Sequence, residues 1–221
     1  MIIRRNVKTI VMAGLLSMIL LLTAACGGKK ADPKAYVQAF MDLMTRGEVE
    51  EYVKVSGESE EEAKKAYEDM TNAMMESIGA TGASPEVQER FRDLYVRILA
   101  MTKYTVKEAE KTDDGKYKVD VEIEPITGLY DNLAVEITDE AASYSQSVLD
   151  SGGEINVEEM TNHVMNTTID KLESRLESIS YGEPKTVTVE LEEDDGSFKI
   201  VNEDVVGPQI GEALIDTSAL E

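Results

Sequence analysis

The sequence predicts an α+β domain: N-terminal helices and one long inserted helix packed on a four-stranded antiparallel sheet of two long hairpins. Three observations lead there. Apolar residues recur at helical spacing up to about Ile98, and the period then switches to strict alternation. Two Asp-Asp-Gly turns, Asp113-Asp114-Gly115 and Asp194-Asp195-Gly196, each stand between alternating runs. A second long helical pattern separates them.

Asp32-Pro33 starts the first helix, with Asp as N-cap and Pro in the first turn. Tyr36, Val37, Phe40, Met41 and Met44 form its apolar face, and Gly47 closes it. Val49, Tyr52 and Val53 continue in a short helix to Gly57. The run Ser59, Glu60, Glu61, Glu62 is a capping box, followed by a stripe of Ala63, Ala66, Tyr67, Met70, Met74 and Ile78. Gly79 to Gly82 breaks that helix. Ser84-Pro85 opens the next, with Val87, Phe91, Leu94, Tyr95 and Ile98 inward.

Tyr104 to Thr112 forms the first hairpin arm. Beyond the turn, Tyr117, Val119, Val121 and Ile123 alternate with Lys118, Asp120, Glu122 and Glu124, giving one buried and one wet, acidic face. Leu133–Ile137 fits a strand or a buried turn, and Asp139 to Leu149 a helix. Asn156 caps a helix reaching about Ser180. Thr186, Val187, Val189 and Leu191 lead into the second turn, with Phe198, Ile200 and Val201 beyond it. A short last helix starts at Pro208. The body spans residues 32–216 as a single domain, with 217–221 a C-terminal tail.

The hairpins share a pattern. Thr105-Val106 and Thr186-Val187 each lie eight residues before their turn, and Tyr117 and Phe198 each lie two after its Gly. Duplication and chance convergence of two such hairpins both yield the same sheet.

Composition excludes several functions. The chain carries 44 Asp+Glu against 22 Lys+Arg, for a net charge of −22 over 221 residues. Nucleic-acid binding needs cations that displace phosphate counterions, so no nucleic acid is expected as a partner. One Cys excludes a disulfide framework and a Cys-rich metal site. His163 is the sole histidine. It sits mid-helix with Glu159 four residues back and reads as structural. No GxSxG elbow supports Ser-His-Asp catalysis, and no phosphate-binding Gly loop is present, Gly27-Gly28-Lys29-Lys30 lacking its spacing.

Asp120, Glu122 and Glu124 on one strand face, with Glu190 beside them, raise the possibilities of a carboxylate pair for glycoside hydrolysis or an oxygen-ligand cation site. In a chain this acidic, a solvated face is the plainer reading. The cluster of Met70, Met74 and Met75 reads as core packing before copper binding. Neither a cofactor nor a metal is expected, and about 196 mature residues leave little room for a two-lobed solute-binding protein.

The first residues speak to location. Arg4, Arg5 and Lys8 precede the apolar run TIVMAGLLSMILLL, too short for a bilayer span of about 20 residues but suited to a signal core. Thr23, Ala24 and Ala25 then lead to Cys26-Gly27-Gly28. This resembles the lipobox of bacterial lipoproteins, with Thr23 where Leu is usual. The resemblance implies cleavage between Ala25 and Cys26 and a diacylglycerol thioether on the Cys26 sulfur. Residues 1–25 are then a signal peptide and 26–31 a lipidated Cys with a flexible tether, ahead of a body on the extracytoplasmic face of the cell membrane. Loss of the signal takes Lys+Arg from 22 to 19 and the charge from −22 to −25.

The order of elements is similar to cystatin-like and NTF2-like folds, and the start of the mature part resembles small Gram-positive lipoproteins of unknown function. The residues carrying the second likeness are Tyr36-Val37, Gly47-Glu48 and Ser59 to Glu62. The resemblance implies a groove between helices and sheet for a partner segment or a small apolar ligand, with Tyr36, Phe40, Met44, Tyr67, Met70, Met74, Phe91 and Tyr95 as its lining. Three functions follow as expectations: a non-catalytic anchored binding protein, a ligand-free envelope lipoprotein, and a carboxylate hydrolase.

Overall fold

A computed structural model describes residues 32–194 and 196–220, the side chains of Met74 and Ser77 excepted. The signal, Ala25, Cys26 and the tether lie outside the described residues, as do Asp195 of the second turn and Glu221.

The described chain is α+β, with seven α-helices packed on a curled antiparallel sheet. Four helices come first: α1 (Pro33–Arg46), α2 (Val49–Ser56), α3 (Glu60–Gly79) and α4 (Pro85–Ala100). The first hairpin follows as β1 (Lys103–Val106), β2 (Glu110–Lys111) and β3 (Tyr117–Glu124), then a short β4 (Ile126–Thr127). Next come α5 (Leu133–Asp150), α6 (Val157–Leu176), β5 (Ser180–Tyr181), β6 (Lys185–Asp194), β7 (Ser197–Ile200) and α7 (Glu203–Leu214). A 3-10 turn, Ser218–Leu220, ends the described chain.

The helix starts form as their sequences predict. Asp32 Oδ1 accepts from the Lys34 N–H at 3.0 Å. Ser59 and Glu62 complete a reciprocal capping box, and the Asn156 amide oxygen accepts from Glu158 and Glu159. Gly47 ends α1 at φ +68°, where a Cβ would also meet the Tyr67 ring at 3.1 Å.

The sheet order is β1-β3-β6-β7, and β2 also pairs β3. The two hairpins therefore meet through β3 and β6, which pair from Tyr117↔Leu191 to Ile123↔Lys185. Val119 faces Val189 and Val121 faces Val187 across this seam, all buried. A slip of one residue would turn those valines to water. The outer face matches the same register: Lys118 meets Glu190 at 3.1 Å, and the Thr188 hydroxyl donates to Asp120 at 2.6 Å.

Helices cover the inner face. α1 is central to this layer and buries eight of its residues against its neighbouring helices and the sheet. Tyr104 docks it to β1, donating to Asp42 at 2.5 Å and accepting from Arg46 at 2.7 Å. Residues 128–179 leave and return through one point, where Ile126 pairs Tyr181 and also bridges Ile215. Helices α5 and α6 within this segment form a helical hairpin.

Several elements differ from expectation. Leu133–Ile137 is neither strand nor turn but the first part of α5, since Leu133, Ala134 and Ile137 fall on one buried helical face. Helix α6 stops at Leu176, and Ser180 belongs to β5. The first hairpin arm is broken by a bulge: four steps from Val106 to Glu110 oppose three from Val121 to Lys118. That extra residue turns Glu110 outward. The second hairpin has a short arm, because β7 ends at Ile200. The last helix begins at Glu203, not at Pro208, which lies inside it. Burial of Val206, Ile210, Ala213 and Leu214 outweighs the backbone bond that Pro208 forgoes. Leu220 is buried, and the 3-10 turn Ser218–Leu220 packs with α5.

Asn202 explains how β6 survives the early exit of β7. Val201 N–H gives Glu190 the last rung at 2.9 Å. The Asn202 side chain then accepts from Glu190 N–H and donates to the Thr188 carbonyl, both at 3.0 Å. It replaces a strand neighbour, so it makes no cap bond to α7, at whose N-cap position it stands. Asn202→Ala would strand both β6 groups, and a loss of about 1–3 kcal/mol is expected in urea denaturation.

Candidate functional site

The residues expected to line a helix–sheet groove are brought together, but as packing. Tyr36, Phe40 and Met44 of α1, Met70 of α3, and Phe91 and Tyr95 of α4 are all buried in one core with the inner sheet face. Tyr67 is half-buried against that core, and the Met74 side chain lies outside the described residues. None of them lines the cavities described on the surface. The described side chains of this set thus belong to, or pack against, one hydrophobic core. Helical apolar stripes share this core with sheet valines and leucines, and aromatic rings meet within it. Tyr36 contacts Tyr52 and Phe198 at ring-centre separations of 6.1 and 6.0 Å, and Tyr117 meets Phe198 at 5.4 Å.

Two features of this core are polar. The Tyr95 hydroxyl is buried with no hydrogen-bond partner among the described residues. Burial pushes its pKa far up, and nearby Tyr130 and Tyr67 add to the shift. At the rim, the Tyr52 hydroxyl donates to Glu58 Oε1 at 3.2 Å. Burial raises the Glu58 carboxyl above the usual range, an effect the Tyr52 bond partly offsets. Burial also lifts Tyr36 to about 12, with Glu58 and Glu203 contributing. Glu203 itself is raised, first by burial and then by Asp204.

A polar concavity of about 590 Å³ lies on the outer sheet face. Lys107, Glu108, Glu110, Lys118, Asp120, Thr186, Thr188, Glu190, Asn202 and Gln209 line it. This is where the alternating acids were expected, and Glu190 does stand on the strand beside Asp120. Cations and hydroxyls interleave them. Lys107 meets Glu122 at 2.5 Å, and Lys118 meets Glu190. Thr188 serves Asp120, and Asn202 is spent on β6. Among the described residues, no group of three or more His, Cys, Asp or Glu side chains is placed to hold a metal.

His163 lies on α6, and its partner is not Glu159. Its Nε2 stands 3.0 Å from Glu140 Oε1 of α5, and its ring stacks on Tyr144 at 4.2 Å. The sole histidine thus ties the helical hairpin together. Arg175 secures the root of that hairpin, donating to the Leu129 carbonyl at 2.8 Å and to Glu136 at 3.0 Å.

No family model matches the chain. No curated protein matches it either. A solved structure does share its fold: ycdA of Bacillus subtilis, a candidate lipoprotein, with a TM-score of 0.59 at 16% identity. The match covers 84% of this chain and 57% of that one, so the chain spans little more than half the neighbour's length. Among the described residues, no helix is long and apolar enough to cross a membrane.

Two outcomes follow from the core. Tyr95→Phe removes an unpaired hydroxyl, and thermal and urea unfolding are expected to show equal stability or a gain of up to about 1 kcal/mol. Glu58→Gln keeps the acceptor for Tyr52 but abolishes the buried charge. Folded Glu58 titrates above its unfolded value, so the parent loses stability as pH rises through that interval. Denaturation midpoints of the two proteins should coincide near pH 4, with Glu58→Gln the more stable at pH 7.

Proposed function

We propose that the chain is a lipid-anchored extracytoplasmic protein that works by holding a partner, not by catalysis. The anchor is read from residues 1–26: a short basic start, an apolar core, small residues and Cys26. Two acyl chains on that site would give stable attachment where a single chain is marginal. The fold shared with a candidate lipoprotein supports the same reading. The order of the elements, N-terminal helices against a curled sheet, fits a cystatin-like or NTF2-like plan.

One observation carries the preference for binding over chemistry. Four of the five groups that the sequence offers for catalysis are engaged by an internal partner: His163 by Glu140 and Tyr144, Asp120 by Thr188, Glu122 by Lys107, and Glu190 by Lys118. A general acid or nucleophile must instead be free to meet a substrate. Burial of Tyr36, Phe40, Met44, Met70, Phe91 and Tyr95 favours a partner held at the surface over a small apolar ligand inside. It also supports a second reading, in which the body is a ligand-free spacer in the cell envelope.

Cys26→Ala tests the anchor. The variant is expected in the culture medium, while the parent stays with the membrane fraction. Retention of Cys26→Ala in that fraction would overturn the assignment.

A further inference from the structure

The α5–α6 hairpin reaches beyond the body it grows from. No residue from 138 to 167 is buried. Its fastening to α4 begins only at Asn162, which accepts from the Ser84 N–H at 2.7 Å, and continues with Arg90 on Asp170 at 2.8 Å. The far end, where α5 turns into α6, carries three large apolar side chains open to water. Leu149 is 54% exposed, Ile155 44% and Val157 78%. Only two further large apolar side chains are this open among the described residues, and one of them, Val135, is also on α5. A tip that served only as a solvated turn would have no need of such residues; grouped exposed apolar side chains mark contact surfaces.

The charges around the tip select the partner. From Asn132 to Asp170 the chain has no Lys or Arg. On the outer sheet face, by contrast, acids are interleaved with cations. We infer that the hairpin tip is a docking surface for a protein partner that presents an apolar patch ringed by Lys or Arg. The three apolar side chains supply buried area, and the flanking carboxylates supply orientation and discrimination. A second copy would bring like charge against like, and an anionic lipid leaflet would do the same. The inference rests on the partner-binding reading above and adds the surface and the chemistry it recognises.

The test uses the full lipidated chain in detergent, with a synthetic Leu/Lys amphipathic helix as probe at about 0.15 M salt. The triple variant Leu149→Ser, Ile155→Ser, Val157→Ser keeps the charge and removes only exposed side chains, so its melting curve should match the parent's. Binding read by fluorescence anisotropy is expected to weaken by about tenfold or more in the triple variant. Equal affinity for parent and variant would overturn the inference, since the peptide would then be held by general acidity. Parent-only self-association, or tip-dependent binding to phosphatidylglycerol vesicles in preference to the peptide, would also overturn it. Photocrosslinkers at positions 157 and 110, used in cells of the producing species, separate the two readings. Adducts through 157 to a segment rich in Lys or Arg and apolar residues support the inference. Adducts through 110 alone sink it and leave partner binding standing; none from either position sinks both.

Discussion

The seam between β3 and β6 is the constraint on which the rest of the molecule depends. It joins two segments more than sixty residues apart, and its inner valines form the floor against which the helices pack. Both faces specify the register. Inside, valine meets valine; outside, lysine meets glutamate and threonine meets aspartate. A slipped register would expose one set and bury the other, so the pairing is selected twice over. The remaining elements adjust to this seam. β1 bulges so that its continuation keeps Glu110 in water, and α7 lies near the edge that β7 leaves open, with Asn202 completing the ladder.

Charge is handled by three means in this acidic chain. On the sheet, acids alternate with lysines and hydroxyls. At the hairpin root, Glu136 is matched by Lys171 and Arg175, and Glu173 by Arg90 and Arg97. Such exposed pairs are worth little individually. Their effect is to keep a chain of net charge −22 from repelling itself at each element. Where burial prevails, as at Glu58 and Glu203, the carboxyl shifts toward its neutral form. The hairpin tip follows none of these patterns, having acids and apolar side chains without a basic residue.

Much of the architecture was legible in the chain because the signals were local. Helix starts at Asp32, Ser59, Ser84 and Asn156 rest on side chains that bond backbone groups two or three residues away. The sheet's inner and outer faces rest on alternation alone. The elements that departed from expectation were decided at longer range. The start of α5 depends on Leu133 and Ile137 finding the core, and the start of α7 on burial that overrides Pro208. The partner of His163 lies on another helix, 23 residues away. Tyrosines and methionines on a helical stripe, for their part, look the same in sequence whether they line a cavity or fill one.

The sequence by itself determined the class of fold, the caps and turns, the alternation that makes one sheet face wet, and an expected anchor at Cys26. Each is carried by residues adjacent in the chain or one turn apart. Only the tertiary structure decided that the hairpins meet through β3 and β6, that the aromatic and Met stripes join one core, that Asn202 closes an edge, and that Leu149, Ile155 and Val157 are open to water. These follow from volume and hydrogen-bond accounting across distant segments, where what matters is which group arrives at a given place and no local pattern encodes the answer.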